Sequence, residues 1–196
     1  MGRLPALLVV TDGQRTAGRS LPAVIAAAVE GGARAVLLRE KHLSKAARRE
    51  LAVLLAAILA PVGGTLVVAS DPTIPADGIH LAAADPFPEW GPRLIGRSCH
   101  SRADTERAAA QGCAYATLSP IFPSPSKPGY GPALTPSALA DPPLPTWALG
   151  GVDASNAGRC IALGAAGVAV MGAIMAAPDP ASTTSAILEA ITPTPR

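Results

Sequence analysis

Short apolar runs alternate with helix-forming segments along this chain. Ala6–Val10 is apolar throughout and leads into Thr-Asp-Gly, and Ala35–Leu38 is apolar and ends abruptly at three charged residues. Runs that are apolar at every position are typical of strands buried on both faces, as in parallel sheets. The same pattern predicts six further strands, at Leu66–Ala69, Gly78–Leu81, Leu94–Gly96, Ala114–Leu118, Trp147–Leu149 and Val168–Met171.

Helices are predicted between or after these strands. Leu21–Glu30 is rich in helix formers and stops at Gly31, and Ser44 supplies an N-cap for the alanine-rich segment that follows it as far as Leu59. The stretch Ser70–Asp77 is too short and too rich in proline to hold a helix, so we expect one truncated crossover. Three further helices are predicted, at Arg102–Gln111, Asn156–Leu163 and Ala181–Ile191.

Eight apolar strands separated by helices predict an α/β fold that closes into a (β/α)₈ barrel, the TIM barrel. The chain has 196 residues, just under the usual lower range of about 200 for this fold, so some helices must be shortened. An open doubly wound sheet is the alternative. It usually carries a glycine fingerprint after the first strand, and Thr11-Asp12-Gly13-Gln14 is not one. We expect a single domain over residues 1–196.

Composition excludes several classes of function. Hydrophobic residues make up 49% of the chain and charged residues 15%, which excludes a wholly disordered protein. The net charge is +2 with scattered basic residues, so we expect no binding to nucleic acid.

Leu51–Val62 is the longest near-continuous apolar run and is too short to span a membrane. Cys99, Cys113 and Cys160 lack the spacing of a zinc site or disulfide framework, which favours a reduced, cytoplasmic location.

Charged residues follow the second predicted strand, at the end of a barrel where active sites lie. Arg39 and Lys41 come directly after that strand, which places two cations at the mouth of the barrel. We predict that they bind an anionic substrate group. Lys45, Arg48 and Arg49 follow on a helix at surface spacing, and we expect them to be solvated.

Polar residues also follow the third, fourth and fifth strands. Asp71 and Asp85 could together hold one Mg²⁺, since this ion takes a few carboxylates together with water and substrate phosphates. Asp71 followed by Pro72 is also ordinary turn chemistry, so the residues alone leave both interpretations open. Ser70 and Ser98 add hydroxyl groups at the same strand ends.

Glycines follow the last two strands. Gly150 and Gly151 end the seventh predicted strand, and Gly172 follows the eighth. In this fold a phosphate site recurs at these two loops, because glycine lets backbone N–H groups approach the anion. The alternative is that the glycines only punctuate loops.

A proline-stiffened loop after the sixth strand carries Ser124, Ser126 and Lys127. A cation and two hydroxyl groups on a rigid loop suit a diphosphate, because little entropy is lost on binding. A stiff loop without a ligand is the alternative interpretation.

Two histidines and a cysteine lie on or near the fourth and fifth strands. His100 follows the fifth strand and is the histidine placed for proton transfer. His80 lies within a predicted strand and is expected to be a core histidine with satisfied hydrogen bonds. Cys99 has no evident base beside it and is expected to be inert packing.

Eight segments together resemble one enzyme family in order and spacing. They are VVTD (9–12), LLREK (37–41), SD (70–71), DGIHLAAAD (77–85), IGRSCHS (95–101), LSPIFPSPSKPGYGP (118–132), ALGGV (148–152) and GAAGVAVMGAI (164–174). The chain resembles the thiamine phosphate synthases and their sister group, the TenI-type thiazole tautomerases, over nearly its whole length. The SPIFPSPSK segment is the most specific part of the match.

The resemblance implies a (β/α)₈ fold and a synthase that joins hydroxymethylpyrimidine pyrophosphate to a thiazole phosphate and releases pyrophosphate. Its partners would be small phosphorylated substrates, and its cofactor Mg²⁺. Residues that match the family's pyrophosphate-binding groups are Arg39, Lys41, Ser98, Ser124, Ser126 and Lys127. Asp71 and Asp85 match its Mg²⁺ carboxylates, and Gly151 and the loop near Gly172 match its thiazole phosphate site.

The chain departs from the family pattern at several positions. Leu37 stands for a glutamine, Ser70 for an asparagine, and Ala82-Ala83 for a Gly-Gln pair. These changes remove hydrogen-bonding groups from the pyrimidine side of the site. Gly172 stands for a serine near the last phosphate loop.

Two alternative functions stay open beside the synthase. A thiazole tautomerase needs a general base and no Mg²⁺. The tautomerases usually place a histidine where this chain has Pro120, so His100 would have to substitute. A non-catalytic protein that binds phosphorylated ligands is the third interpretation. Assembly into a homo-oligomer is also open.

Overall fold

Eight parallel strands close into a barrel in the order in which they occur in the chain. The structure is a computed structural model that describes residues 4–89, 94–123 and 133–192. The strands are β1 Leu7–Val10, β2 Ala35–Leu38, β3 Thr65–Ala69, β4 Gly78–Leu81, β5 Leu94–Cys99, β6 Tyr115–Leu118, β7 Thr146–Leu149 and β8 Gly167–Val170. The predicted barrel and its eight strands are confirmed.

Helices cover part of the outside of the barrel. They are α1 Leu21–Glu30, α2 Lys45–Leu59, α3 Arg102–Ala110, α4 Ala157–Ala162, α5 Gly172–Met175 and α6 Pro180–Ile191. Side-chain oxygens of Ser20, Ser44, Ser101 and Asp179 accept hydrogen bonds at four helix N-termini. Short 3₁₀ turns lie at Gly13–Arg15, Ala60–Val62 and Pro136–Leu139. The predicted shortening of some helices is confirmed by the lengths of α4 and α5.

Successive side chains along each strand point alternately into and out of the barrel, so the buried apolar residues form two clusters. Leu8 and Val10 of β1 point into the barrel, where they pack with Leu37, Val67 and other inward residues. Their neighbour Val9 points outward into the larger cluster between strands and helices. Both faces of β1 are therefore covered, as are those of β2, which explains why these two strands are apolar throughout.

Two crossovers contain no helix in the part of the chain that the structure describes. The connection from β3 to β4 is helix-free, as predicted from its prolines. The connection from β4 to β5 is also helix-free over its described residues 82–89, which the sequence pattern did not predict. Pro86 and Pro88 lie in that segment, and its shortness leaves no room for a regular crossover helix.

The three cysteines are buried free thiols, so the expectation that they form no disulfide is confirmed. Burial raises the pKa of the Cys99 thiol to about 12, as expected for an inert packing residue. Within the described ranges, no helix has the length and apolar character needed to cross a membrane.

Candidate active site

Arg39 and Lys41 lie at the carboxyl end of β2, on the rim of the barrel. The backbone N–H of Arg39 donates to Thr11 Oγ1 over 2.9 Å, which ties the end of β2 to the end of β1. Arg39 is partly buried and Lys41 is exposed. Neither side chain forms a hydrogen bond or an ion pair with any described residue. Two positive charges that form no ion pair with the described residues therefore lie at the mouth of the barrel.

Glu40, between these two cations, has a buried structural contact at the rim that the sequence analysis missed. Its side chain is 1% exposed, and its two carboxylate oxygens accept from the backbone N–H of Gly13 over 3.1 and 3.0 Å. His42 Nδ1 lies 3.7 Å from the same carboxylate. Glu40 thereby anchors the segment that carries Arg39 and Lys41 to the loop after β1. A signal was present, since an acidic residue between two cations suggests a different orientation from its neighbours.

His80 lies inside the barrel on β4 and has a partner at each ring nitrogen. Nδ1 lies 3.0 Å from the Tyr115 hydroxyl, and Nε2 lies 3.0 Å from the Ser98 hydroxyl and 3.3 Å from that of Thr117. Gly96 makes room for this arrangement, because a Cβ there would overlap the Tyr115 ring. The prediction that His80 is a satisfied core histidine is confirmed. Ser98, a predicted site residue, is held at the inner wall of the barrel by His80.

Burial and the charges of several rim residues change the pKa of His80. Burial, together with the positive charges of Arg39, Arg97 and Lys41, lowers the pKa of His80 to about 3, and the negative charge of Asp85 opposes this shift. The ring is therefore neutral at neutral pH. Arg39, Lys41 and Asp85, which all follow strands at the carboxyl end of the barrel, thus act electrostatically on one interior group.

Asp71, after β3, is engaged by neighbouring residues. Its carboxylate accepts from Thr73 Oγ1 over 2.6 Å and from Thr73 N over 3.0 Å, and it pairs with Arg48 Nη2 over 3.2 Å. The hydrogen bond from the Thr73 hydroxyl contributes most to lowering the pKa of Asp71, and Lys45 and Arg48 lower it further. The expectation that Arg48 is solvated is wrong.

Arg48 differs from its neighbours because it projects from α2 towards the end of β3. Its side chain is 18% exposed, and Nη1 donates to the Ala69 carbonyl over 3.4 Å. Lys45 remains exposed and lies 4.0 Å from Asp71. Arg49 is exposed, as expected, and donates to the Thr73 carbonyl.

Asp85 forms a compact turn with Ala82 after β4. Its Oδ2 accepts from the Ala82 N–H over 2.8 Å, and its own N–H donates to the Ala82 carbonyl over 3.1 Å. Oδ1 accepts no hydrogen bond from the described residues. Asp85 thus presents one carboxylate oxygen that forms no hydrogen bond with the described residues. Ser70, at the end of β3, is exposed and adopts a left-handed φ of 61°.

Gly150 and Gly151 pack against the loop that follows β6. A Cβ on Gly150 would lie 2.8 Å from Pro120 Cα, and one on Gly151 would overlap the Pro123 carbonyl. Both glycines have positive φ, at 93° and 63°. The N–H of Phe122 donates to the Gly150 carbonyl over 3.0 Å. The glycine pair therefore seats the start of the loop that carries the predicted residues Ser124, Ser126 and Lys127, which lie outside the described residues.

His100 and Gly172 complete the predicted positions at this end of the barrel. His100 Nδ1 lies 2.9 Å from the Ser119 carbonyl oxygen, which can only accept, so Nδ1 is the donor in this hydrogen bond. Gly172 begins the four-residue helix α5 directly after β8. The first N–H groups of a helix have no partner within it, which suits an anion at this position.

Residues 7–174 match the family model described as thiamine monophosphate synthase. The chain belongs to this family. A thiamine-phosphate synthase of Methanoculleus marisnigri is 38% identical over 88% of this chain and 89% of its own. A thiamine-phosphate synthase of Roseiflexus castenholzii is 32% identical over 92% of this chain and 86% of its own.

Solved structures of other proteins have the same barrel fold as this chain. The thiamine phosphate pyrophosphorylase of Pyrococcus furiosus superposes with a TM-score of 0.80 at 23% identity, covering 94% of both chains. A 3-hexulose-6-phosphate synthase superposes with a TM-score of 0.70 at 15% identity, covering 96% of this chain and 100% of its own. The barrel is thus shared well beyond the thiamine monophosphate synthase family, whose membership rests here on sequence.

The two carboxylates predicted to bind Mg²⁺ differ in how many lone pairs the described residues leave free. No group of three or more histidine, cysteine, aspartate or glutamate side chains forms a metal cage within the described residues. Mg²⁺ does not need one, since it usually binds through one or two carboxylates and completes its shell with water and substrate phosphates. A carboxylate offers about four lone pairs. Asp85 uses one of them on Ala82, and Asp71 uses three on Thr73 and Arg48.

Proposed function

We propose that this chain is a thiamine-phosphate synthase: a transferase that joins hydroxymethylpyrimidine pyrophosphate to a thiazole phosphate and releases pyrophosphate. The observation that carries this proposal is the pair of rim cations, Arg39 and Lys41, which form no ion pair with the described residues and act on the same interior group as Asp85. Family membership supplies the substrates. The geometry supports them, because a departing diphosphate needs positive charge at the point where the reaction takes place.

The reaction is a displacement at carbon. The thiazole nitrogen attacks the exocyclic methylene carbon of the pyrimidine, a C–N bond forms, and the C–O bond to the diphosphate breaks with its electron pair remaining on the diphosphate oxygen. Arg39 and Lys41 would bind the diphosphate and stabilise the negative charge that develops on it. Ser98, held by His80, would donate its hydroxyl to the same leaving group.

Mg²⁺ is proposed as the cofactor, held by Asp85 with Asp71 as the second carboxylate. When bound, it would supply further positive charge to the diphosphate oxygens. Ser124, Ser126 and Lys127 are proposed to contact the diphosphate from the loop after β6. Gly150 and Gly151 pack against residues 120–123, the described start of that loop, which supports a place for the loop at the carboxyl end of the barrel.

The thiazole phosphate is proposed to bind at the ends of β7 and β8. Gly151 and Gly172 would offer backbone N–H groups there, in the position where this fold recurrently binds phosphate. Asn156 supports this loop, because its Nδ2 donates to the Gly151 carbonyl over 2.9 Å.

The tautomerase alternative gains one observation. Because His100 donates from Nδ1 to the Ser119 carbonyl, the orientation of its ring is fixed at the carboxyl end of the barrel, as a general base requires. Under this alternative, His100→Gln would stop a proton shift on a thiazole carboxylate phosphate, which can be followed by NMR.

The proposal is tested by incubating the protein with both synthase substrates and Mg²⁺ and measuring thiamine phosphate and pyrophosphate. Equal amounts of the two products are expected, and Arg39→Gln should abolish most of the turnover. Arg159→Gln removes an exposed arginine from α4 and should leave turnover unchanged. Thiazole isomerisation without thiamine phosphate would instead identify a tautomerase. Binding of substrates without any product would identify a phosphate-ligand binder.

A further inference from the structure

Arg97 is a buried cation on the outer face of the barrel. Ser98 contacts His80 inside the barrel, so its neighbour Arg97 on β5 points outward. The residue is only 4% exposed. It lies beside the crossover from β4 to β5, whose described residues form no helix. A cation therefore occupies the side of the barrel that a crossover helix would ordinarily cover.

The Arg97 guanidinium gathers the backbone carbonyls of this crossover. Its Nη1 donates to the carbonyl oxygens of Asp85 over 2.8 Å, Ala82 over 3.0 Å and Ala83 over 3.2 Å. The same segment is closed by the two hydrogen bonds between Ala82 and Asp85. Arg97 thus contacts the turn from which the Asp85 carboxylate projects.

A contribution to folding stability does not by itself explain why an arginine is buried at this position. Its Nε and Nη2 are buried and form no hydrogen bond of ordinary geometry with the described residues, although the guanidinium lies close enough to the Cys113 thiol to oppose the rise that burial causes in the pKa of that thiol. Burying a cation with unpaired donors is costly. A methionine at this position would avoid that cost but could not hold the three carbonyls.

We propose that Arg97 is a positioning residue for Asp85: it replaces the missing crossover helix and fixes the turn that presents this carboxylate to the Mg²⁺–diphosphate. The inference rests on the proposed function for the role of Asp85. The contact between Arg97 and the turn stands independently of it. The residue does not touch substrate and acts only through the backbone of Ala82–Asp85.

The first test follows the turn itself, by hydrogen exchange of the Ala82 and Asp85 amides in the free protein. Arg97→Lys and Arg97→Met should both lose protection at these amides, while amides of β1 and β2 keep theirs. Arg102→Met is the matched control, because Arg102 also donates to backbone carbonyls, those of Ala140 and Asp141, but from an exposed position. Unchanged protection of Ala82 and Asp85 in both Arg97 variants would overturn the proposal.

The second test follows ligand binding by calorimetry, with pyrophosphate and Mg²⁺ as the probe and thiazole phosphate as the reference. Loss of a residue that orients a metal ligand typically weakens metal binding tenfold or more, so Arg97→Met should raise the Kd for pyrophosphate with Mg²⁺ by about tenfold. The Kd for thiazole phosphate should change less than about twofold if Arg97 acts only through the Asp85 turn. The effect should disappear in an Asp85→Asn background, where there is no carboxylate to position.

The outcomes separate the two proposals. Equal weakening of both ligands, or an undiminished effect of Arg97→Met in the Asp85→Asn background, would show a merely structural role for Arg97. A wild-type protein that binds no pyrophosphate with Mg²⁺ would contradict the proposed function, while the hydrogen-exchange result would still decide whether Arg97 holds the turn. If Arg97→Met fails to fold, Arg97→Lys gives the same comparison, because a single ammonium group lacks the planar fork of arginine.

Discussion

Glu40 and Gly13 join the ends of β2 and β1 through a buried contact, in which the Gly13 N–H lies 3.1 and 3.0 Å from the two carboxylate oxygens of Glu40. Adjacent strand ends thereby form one rigid part of the rim. Arg39 and Lys41 flank Glu40, so the position of both cations depends on this contact.

Replacement of Glu40 by glutamine should weaken this contact and disturb the rim. The amide offers one acceptor oxygen and no charge, so we expect a loss of roughly 1–2 kcal/mol in the free energy of unfolding, measured with urea. Binding of pyrophosphate should weaken as well, because Arg39 and Lys41 lose their support. Glu50→Gln on the exposed face of α2 is the control. Equal stability of the Glu40 and Glu50 variants would refute the role of this contact.

Gly151→Ala should be more harmful than a glycine substitution at the same backbone angle elsewhere. Gly151 and Gly63 have φ values of 63° and 61°, but a Cβ at Gly63 would have nothing within 4 Å, whereas one at Gly151 would overlap the Pro123 carbonyl. Both variants bear the cost of a left-handed alanine, roughly 1–2 kcal/mol.

Only Gly151→Ala should additionally displace the loop after β6. We therefore expect it to be the less stable of the two variants and the only one with weakened pyrophosphate binding. Urea unfolding and calorimetry measure the two effects. Identical behaviour of Gly151→Ala and Gly63→Ala would mean that the contact with Pro123 does not matter.

His80 should make stability depend on pH in the mildly acidic range. Burial lowers the pKa of His80 from 6.5 to about 3, so the unfolded chain takes up a proton at a higher pH than the folded one. The stability contributed by the neutral ring is complete above pH 6.5 and is lost as the pH falls towards 3, by at most about 1.4 kcal/mol per pH unit. His80→Gln should show a shallower decline over this range, because His42 and His100 are present in both proteins. Parallel pH profiles would contradict the buried, neutral state of His80.

The barrel itself could be predicted from sequence because burial on both faces leaves a direct pattern. Residues 35–38 are apolar at every position since one side faces the barrel interior and the other faces the helices. The helix-free connection from β4 to β5 was harder to foresee. In the described part of this connection, the contacts of Arg97 with the carbonyls of Ala82 and Asp85 take the place of a helix. These contacts join two segments of the chain, so no local sequence pattern encodes them.

Within the site, residues directly after apolar strands were predictable, and residues with long-range partners were not. Arg39 and Lys41 follow β2, so the fold alone places them on the rim. Arg48 has the helical spacing of a surface residue, yet it turns towards Asp71, 23 positions away in the chain. Glu40 is buried because it meets Gly13, 27 positions away. Such partners depend on how the elements pack.

The central claim is that Arg39 and Lys41 bind the diphosphate, and a calorimetric titration with pyrophosphate in the presence of Mg²⁺ tests it most directly. Charge-assisted hydrogen bonds contribute about 1.5–3 kcal/mol, so Arg39→Gln should raise the Kd by roughly tenfold or more, and Lys41→Gln should have a similar effect. Arg159→Gln should bind as the wild type does. Unaltered affinity in both the Arg39 and the Lys41 variants, or equal losses in all three, would contradict the account.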